Sequence, residues 1–212
     1  METPLYEEMY RLESSYWWFK AKREIIFSLL DRFGINNPEC SILDVGCGCG
    51  YTLFELSRKY KNAIGLDYSD QAIEFGKKRG VTVKKGALPD KTPFENKSFD
   101  AILLLDVLEH VDDDAGSVKT CTNLLKPGGI MIATVPAHPF LWAKRDEFHR
   151  HKRRYTLAKF TDLFNLPDLE KLIITFYNSF LFIPIAASRL LDRLSCNSEP
   201  RPDIHTPPGP IN

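Results

Sequence analysis

The sequence predicts a doubly wound α/β fold built on a mostly parallel sheet. Short apolar segments alternate with segments of helical periodicity from Ser41 to Val135. Such alternation is typical of parallel strands joined by right-handed crossovers. Segments such as Ala101 to Leu105 are almost continuously apolar, which indicates a sheet covered by helices on both faces.

Each element follows from a local pattern. Residues 1–40 form a helical region, because apolar side chains recur at helical spacing between Ala21 and Phe33. Strands are predicted at Ser41 to Val45, Ala63 to Asp67, Val81 to Lys85, Phe99 to Leu105 and Gly129 to Val135. Helices are predicted at Thr52 to Tyr60, Asp70 to Arg79, Asp114 to Leu125 and Leu157 to Phe164. A sixth strand is predicted at Leu172 to Tyr177, followed by an apolar helix at Phe180 to Leu194.

These segments predict four regions. Residues 1–40 are a helical lid, residues 41–136 a ligand-binding core, and residues 137–198 a substrate-side loop with helices and the sixth strand. Residues 199–212 form a tail with five prolines, a composition typical of irregular chain.

Composition excludes several classes of protein. A chain of 212 residues that is 43% hydrophobic buries a core without disulfides or metal. Lys+Arg and Asp+Glu both number 28, so the basic surplus of a general nucleic-acid binder is missing and no DNA partner is expected. The five cysteines are an odd number with no metal-ligand spacing, so no metal site is predicted. The acidic start and the lack of a spanning apolar run predict a cytoplasmic enzyme with reduced cysteines.

The strongest motif is the loop that follows the first strand. It runs from Asp44 to Gly50 and has glycine at alternate positions, Gly46, Gly48 and Gly50. Glycine allows a sharp turn and close approach of a ligand to the backbone, although such a loop is also compatible with a structural turn or a dinucleotide site. Asp44 can accept from a cationic amine, and Asp67, at the end of the second strand, can accept from both ribose hydroxyls.

At these residues the sequence resembles the class I S-adenosylmethionine-dependent methyltransferases. Further matches follow in the family's order: Gly86 to Pro89 with Pro93 and Phe94, Ser98 to Ile102, Leu105 to Val111, Leu125 to Gly129, and Pro136. The resemblance covers residues 40–136 closely. It implies a Rossmann-like methyltransferase sheet with S-adenosylmethionine as cofactor and S-adenosylhomocysteine as product. The wider chain resembles bacterial small-molecule methyltransferases grouped with ubiquinone and menaquinone biosynthesis.

The resemblance implies which residues bind the cofactor. They are Asp44, Gly46, Cys47, Gly48, Gly50, Asp67, Tyr68, Ala87, Leu88, Leu105 and Asp106. The chain departs from the family at Gly86, where an acidic residue often precedes the adenine-contacting pair. The family's sheet closes with a seventh strand, which is expected to be absent here, and this predicts a shortened or naturally truncated member.

His110 is the candidate catalytic residue, because it follows the fourth strand at an edge that faces the methyl group in the resembling family. An imidazole with a pKa near 6.5 can take the proton of an acceptor hydroxyl. The alternative is that Glu109 and His110 only orient the helix and cover the cofactor.

A second cluster follows the fifth strand, where open α/β sheets place substrate-side loops. The candidate substrate residues there are His138, Trp142, Arg153, Arg154 and Tyr155. Arginine suits bidentate binding of a phosphate or carboxylate, and the same loop could contact RNA or be an ordinary solvated loop.

Two apolar segments have alternative interpretations. The aromatic run Tyr16 to Phe19 either packs on the sheet edge or forms a lid in which Trp18 contacts substrate. The segment Phe180 to Ala187 is either core or a patch for a lipid-like substrate or a weak membrane contact.

The function predicted is methyl transfer to a small-molecule acceptor, lipid-like or phenolic, by in-line displacement. The alternatives are a methyltransferase acting on RNA or protein and a non-catalytic S-adenosylmethionine-binding protein. A nicotinamide oxidoreductase is disfavoured by the glycine spacing and by Lys126 to Gly129. The motifs specify neither the atom methylated nor the oligomeric state.

Overall fold

The computed structural model describes residues 3–179, 182–183 and 186–187. Its centre is a five-stranded sheet whose strands are β1 (Ser41–Val45), β2 (Asn62–Asp67), β3 (Val83–Lys85), β4 (Phe99–Leu105) and β5 (Leu125–Thr134). The strand order is β3-β2-β1-β4-β5 and every pairing is parallel. Because β1 lies between β2 and β4, the order reverses beside β1, which is where open α/β sheets bind ligands.

Seven α-helices surround the sheet in the described part of the chain. They are α1 (Thr3–Leu12), α2 (Trp17–Arg32), α3 (Tyr51–Lys59), α4 (Asp70–Arg79), α5 (Asp114–Leu124), α6 (Lys144–Phe148) and α7 (Leu157–Leu163). The predicted doubly wound α/β fold is confirmed, and most predicted boundaries agree with these to within a few residues.

The two faces of β4 show why its sequence is apolar throughout. Ile102 and Leu104 pack with α5, whereas Ala101 and Leu103 pack with α2 and α3 on the opposite face. All four are completely buried. Successive strand residues point to opposite faces, so a strand covered on both sides needs an apolar residue at every position.

The predicted sixth strand is wrong. Leu172 to Tyr177 has no strand pairing in the structure, and Leu172, Ile173 and Phe176 are between 43% and 52% exposed. A β-branched, aromatic segment has the propensity for a strand, but a strand forms only where a neighbour supplies its hydrogen bonds.

Other predictions concern residues beyond the described part of the chain. The predicted tail, and most of the predicted helix Phe180 to Leu194, lie outside the described residues. The expected absence of a seventh strand also concerns that region and stays a prediction, as do the predicted region boundaries. Among the helices that are described, none has the length and apolar character needed to cross a membrane.

Candidate functional site

The glycine loop joins β1 to α3 at the carboxyl edge of the sheet. Gly46, Gly48 and Gly50 all have positive φ angles, of 63°, 55° and 80°, a conformation that glycine adopts without steric cost. A Cβ on Gly46 would lie 2.7 Å from Cγ2 of Val107, whereas one on Gly48 would meet nothing within 4 Å. The loop is therefore packed beneath Gly46 and open above Gly48.

The two cysteines of the loop face inward. Cys47 is 9% exposed and Cys49 is fully buried, and the Cys49 thiol donates to the Tyr6 carbonyl at 3.2 Å. Burial raises the pKa of both thiols. Both side chains therefore belong to the packed interior, and the predicted contact of Cys47 with cofactor stays a prediction.

Asp44 and Asp67 end neighbouring strands on either side of the loop. Asp44 is 2% exposed, and burial raises its pKa to about 7 although Lys22 opposes the shift. The Asp67 carboxylate accepts from the backbone N–H groups of Gly48, at 3.1 Å, and Ser69, at 2.9 Å. Each carboxylate oxygen can accept two hydrogen bonds, so Asp67 retains acceptor capacity for a ligand.

A third carboxylate, Asp106, follows β4 and is held from two sides. Lys22 of α2 donates to its Oδ2 at 2.6 Å, and the Thr134 hydroxyl donates to its Oδ1 at 2.8 Å. Burial opposes ionisation, but Lys22 and Thr134 hold the pKa of Asp106 below its ordinary value. Lys22, with a side chain only 12% exposed, thus brings a positive charge to Asp106 and also acts on Asp44.

The remaining predicted cofactor residues surround this centre. Ala87 follows β3 and exchanges both backbone hydrogen bonds with Lys91, at 2.9 Å each, so its amide is already engaged. Leu88 packs against the core, Leu105 ends β4, and Tyr68 is 66% exposed beside Asp67. Their contact with cofactor stays a prediction.

His110 lies beside a second histidine at this edge. Its ring centroid is 4.9 Å from that of His151, and its Nδ1 is 3.4 Å from the Arg150 carbonyl. Burial and the neighbouring His151 lower the pKa of His110. Glu109 is completely buried, and burial together with Asp106 raises its pKa well above the ordinary value.

The predicted basic substrate residues have partners within the chain. Arg153 pairs with Asp114 at 2.8 Å, and Arg154 pairs with the buried Asp146 at 2.7 Å. The Tyr155 hydroxyl lies 2.8 Å from Oδ2 of Asp114 and 3.0 Å from a backbone carbonyl. The structure therefore gives these three side chains a role in holding the loop, while their contact with substrate stays a prediction.

Two of the other candidate substrate residues, His138 and Trp18, contact aromatic rings of the segment that ends at Tyr177. The ring of His138 stacks on Phe176 at 5.1 Å, and Trp18 lies 6.0 Å from Tyr177. Trp142 lies nearby in sequence, with its Nε1 3.4 Å from Glu147. The chain from Phe176 to Tyr177 thus connects the predicted lid with the predicted substrate loop.

Sequence reasoning missed three contributors to the site. Lys22 lies on a helix far from the motifs, and His151 belongs to a run that the sequence presents only as basic. Tyr177 is partly buried, and this burial together with the charges of Asp106 and Glu109 raises its pKa. The pair of histidines flanking Arg150 was the one sequence signal that could have marked His151.

Comparison with known proteins indicates a methyltransferase domain in this chain. Residues 43–133 match a family model described as a methyltransferase domain. A relative from Mycolicibacterium smegmatis, named as a probable S-adenosylmethionine-dependent methyltransferase, is 27% identical over 74% of this chain and 61% of its own length. A ubiquinone biosynthesis O-methyltransferase of Ralstonia nicotianae is 32% identical over 67% of this chain and 60% of its own. The chain thus spans about three fifths of the length of these curated relatives.

Solved structures show the same fold. A candidate sarcosine dimethylglycine methyltransferase from Galdieria sulphuraria has a TM-score of 0.66 at 22% identity, covering 86% of this chain and 74% of that one. A geranyl diphosphate methyltransferase solved with its diphosphate substrate and sinefungin has a TM-score of 0.59 at 21% identity, covering 68% and 57%. At these identities the likeness concerns the fold.

Proposed function

Because residues 43–133 form a class I S-adenosylmethionine-dependent methyltransferase domain, we propose that the protein transfers a methyl group from S-adenosylmethionine to a small molecule with an apolar body. One observation carries the proposal: a glycine loop and three carboxylates, Asp44, Asp67 and Asp106, meet at the carboxyl ends of β1, β2 and β4. This is the position where parallel α/β sheets bind nucleotide ligands.

The residues present fit the cofactor in charge and shape. Asp44 would bind the ammonium group, the free acceptor positions of Asp67 would bind ribose hydroxyls, and the open space above Gly48 admits a ligand close to the backbone. The ammonium of Lys22 contacts Asp106 at 2.6 Å and opposes the rise in the pKa of Asp44, which supports binding of a cation at this end of the site.

The cofactor supplies a methyl group that is already activated for displacement by its sulfonium, so the protein's main task is alignment. In the proposal, α2 and the segment ending at Tyr177 cover the site and exclude water. Asp106 and Thr134 line the side of the site nearest β4, where their hydrogen bond holds the Asp106 carboxylate in place. The base role predicted for His110 remains a proposal.

The exposed surface beside the site supports an apolar acceptor. Phe140, Leu172, Ile173 and Phe176 are between 43% and 57% exposed, and Phe176 stacks on His138. Exposed apolar side chains grouped near a site favour binding of an apolar ligand. The paired guanidinium groups of Arg153 and Arg154 leave less positive charge for RNA than the sequence indicates.

The test is transfer of a labelled methyl group from S-adenosylmethionine into a fractionated cell extract. We expect label in the solvent-extractable fraction with the wild type. We expect none with Asp44→Asn or Asp67→Asn. Asp70→Asn is the matched control, because its carboxylate is exposed and pairs with Lys85 on the surface.

Two results would contradict the proposal. Label in the nucleic-acid or protein fraction would replace the small-molecule acceptor with a macromolecule. Cofactor binding by calorimetry without label in any fraction would indicate a non-catalytic binding protein.

A further inference from the structure

Three side chains with no part in the proposed cofactor contacts come together at the edge of the sheet. Glu109 and His110 follow β4, and His151 belongs to the segment after α6. Each offers one potential ligand atom, and these three atoms lie within 4.8 Å of one another. We propose that Glu109, His110 and His151 form a binding site for one divalent metal ion of the zinc type, which the sequence alone does not predict.

Glu109 gives independent support for a cation. Its side chain is 0% exposed, and neither carboxylate oxygen accepts a hydrogen bond from another described residue. A buried polar group left without a partner costs about 1–3 kcal/mol, and buried carboxylates in proteins are normally paired or coordinate metals. A metal ion between Glu109 and the two histidines would supply that partner.

The two imidazoles are oriented as metal ligands commonly are. Nδ1 of His151 lies 3.0 Å from Oδ1 of Asp146, and Nδ1 of His110 lies 3.4 Å from the Arg150 carbonyl. An acceptor facing Nδ1 keeps the proton on that nitrogen and leaves the Nε2 lone pair for a metal. Asp146 is fixed in turn by Arg154 at 2.7 Å and by the Ala143 amide at 2.9 Å.

The backbone joins the two segments that carry the ligands. The Lys152 amide donates to the Glu109 carbonyl at 2.8 Å, so the residues next to His151 and His110 are fixed to each other. Ligands of a tetrahedral zinc ion lie about 3.4 Å apart, because each bond is about 2.0–2.1 Å. Side-chain rotation on this fixed backbone closes the remaining distance.

The ligand set indicates the type of metal. Two imidazoles and one carboxylate suit zinc and similar transition metals rather than magnesium, which prefers oxygen ligands. Three protein ligands leave one position open, as in catalytic zinc sites. If the proposed function holds, Glu109, His110 and His151 would hold a metal ion that would lower the pKa of an acceptor hydroxyl in that position, and the hydroxyl proton would pass to solvent. His110 would then be a metal ligand rather than a base. Metal binding itself does not rest on the proposed function.

The test is binding of Zn²⁺ and Co²⁺ to the full chain after treatment with a chelator. We expect one ion per chain by calorimetry and visible absorption bands for bound Co²⁺. Glu109→Gln, which preserves shape, and His151→Ala are each expected to weaken affinity at least about tenfold. His138→Ala is the control, because it removes another partly buried histidine of the same region, whose ring stacks on Phe176, and metal affinity should not change.

The proposed site would be overturned if the wild type binds no metal ion. It would also be overturned if Glu109→Gln and His151→Ala bind the ion as tightly as the wild type, or if His138→Ala loses binding. Binding of S-adenosylhomocysteine by each variant shows that it is folded. Metal binding without methyl transfer would count against the proposed function alone. Methyl transfer by a chain that binds no metal would count against this inference alone.

Discussion

At the residue scale, the site depends on carboxylates whose surroundings differ. Burial raises the pKa of Asp44 to about 7, whereas Lys22 and Thr134 keep Asp106 ionised. The two residues therefore respond differently to pH near neutrality: Asp106 stays charged, while Asp44 exchanges a proton. A cationic ligand binds the ionised form of Asp44, so its binding is linked to the loss of that proton.

The first prediction concerns this linkage. Affinity for S-adenosylhomocysteine should rise as pH increases from about 6 to 7.5, by up to about tenfold per pH unit below the Asp44 pKa, and should level off above it. Binding at pH 6.5 should release a proton, measurable as a difference in binding enthalpy between two buffers of unlike ionisation enthalpy. The Asp44→Asn variant should bind weakly without this release, and a wild-type affinity independent of pH would show that Asp44 does not contact the ligand.

Single residues also show what the sequence can and cannot predict. The sequence predicts Asp44 and Asp67 as cofactor-binding residues because a strand ending and a glycine loop are local patterns, and their cofactor contact stays a prediction. The sequence predicts substrate contact for Arg153 and Arg154 from their charge, and this stays a prediction, whereas their partners Asp114 and Asp146 become visible only in the fold. The meeting of Glu109 with His151 likewise depends on two segments brought together by the sheet.

At the scale of elements, one arginine joins the N-terminal helices to the core. Arg79, the last residue of α4, donates to the carbonyls of Cys49 at 2.8 Å and Tyr10 at 2.7 Å. Its guanidinium also lies 4.0 Å from the centroid of the Tyr10 ring and 3.4 Å from Oε2 of Glu13. Glu13 accepts from the Tyr51 amide at the start of α3. Arg79 thus connects α1, the glycine loop and α4.

The second prediction is the cost of removing this connection. Arg79→Met should lower the free energy of unfolding by about 3 kcal/mol, since it breaks the largely buried ion pair with Glu13 and the hydrogen bonds to Cys49 and Tyr10. Urea denaturation measures the change. Arg58→Met is the control, because the Arg58 side chain is 68% exposed and pairs with Glu55 on one helix, so its loss should cost at most about 0.5 kcal/mol. Equal losses in the two variants would contradict the structural role of Arg79.

The element that the sequence predicts wrongly is also informative. Leu172 to Tyr177 has strand composition, yet it runs irregularly past the site, where Tyr177 meets Trp18. Periodicity predicts β1, β2 and β4 well because a helix follows each of these strands in sequence. Strand composition alone does not decide whether a segment forms a strand, because the strand needs a neighbouring strand as hydrogen-bond partner. The sequence does not show whether that partner is present.

At the scale of the whole molecule, the N-terminal helices and the core enclose one site. α1 packs on α4 through Tyr6 and Tyr10 against Phe75, and α2 brings Lys22 to Asp106. The C-terminal half of α2 packs against the sheet through Ile26 and Leu30, whereas its first turn carries Trp17 and Trp18 near the site. Part of this helix is therefore core, and its first turn is the part that can act as the predicted lid.

The third prediction tests that lid. S-adenosylhomocysteine at 100 times its Kd should stabilise the protein by about 2.7 kcal/mol, which raises Tm by about 5–10 °C for a chain of this size. If residues 1–40 cover the ligand, hydrogen exchange of the backbone amides from Trp17 to Lys20 should slow when the ligand binds, together with those of the glycine loop, whereas amides near α7 should not change. The Asp67→Asn variant should lose both effects. Protection limited to the glycine loop, with the full rise in Tm, would show that the ligand binds without the first turn of α2 and would remove the lid from the proposed function.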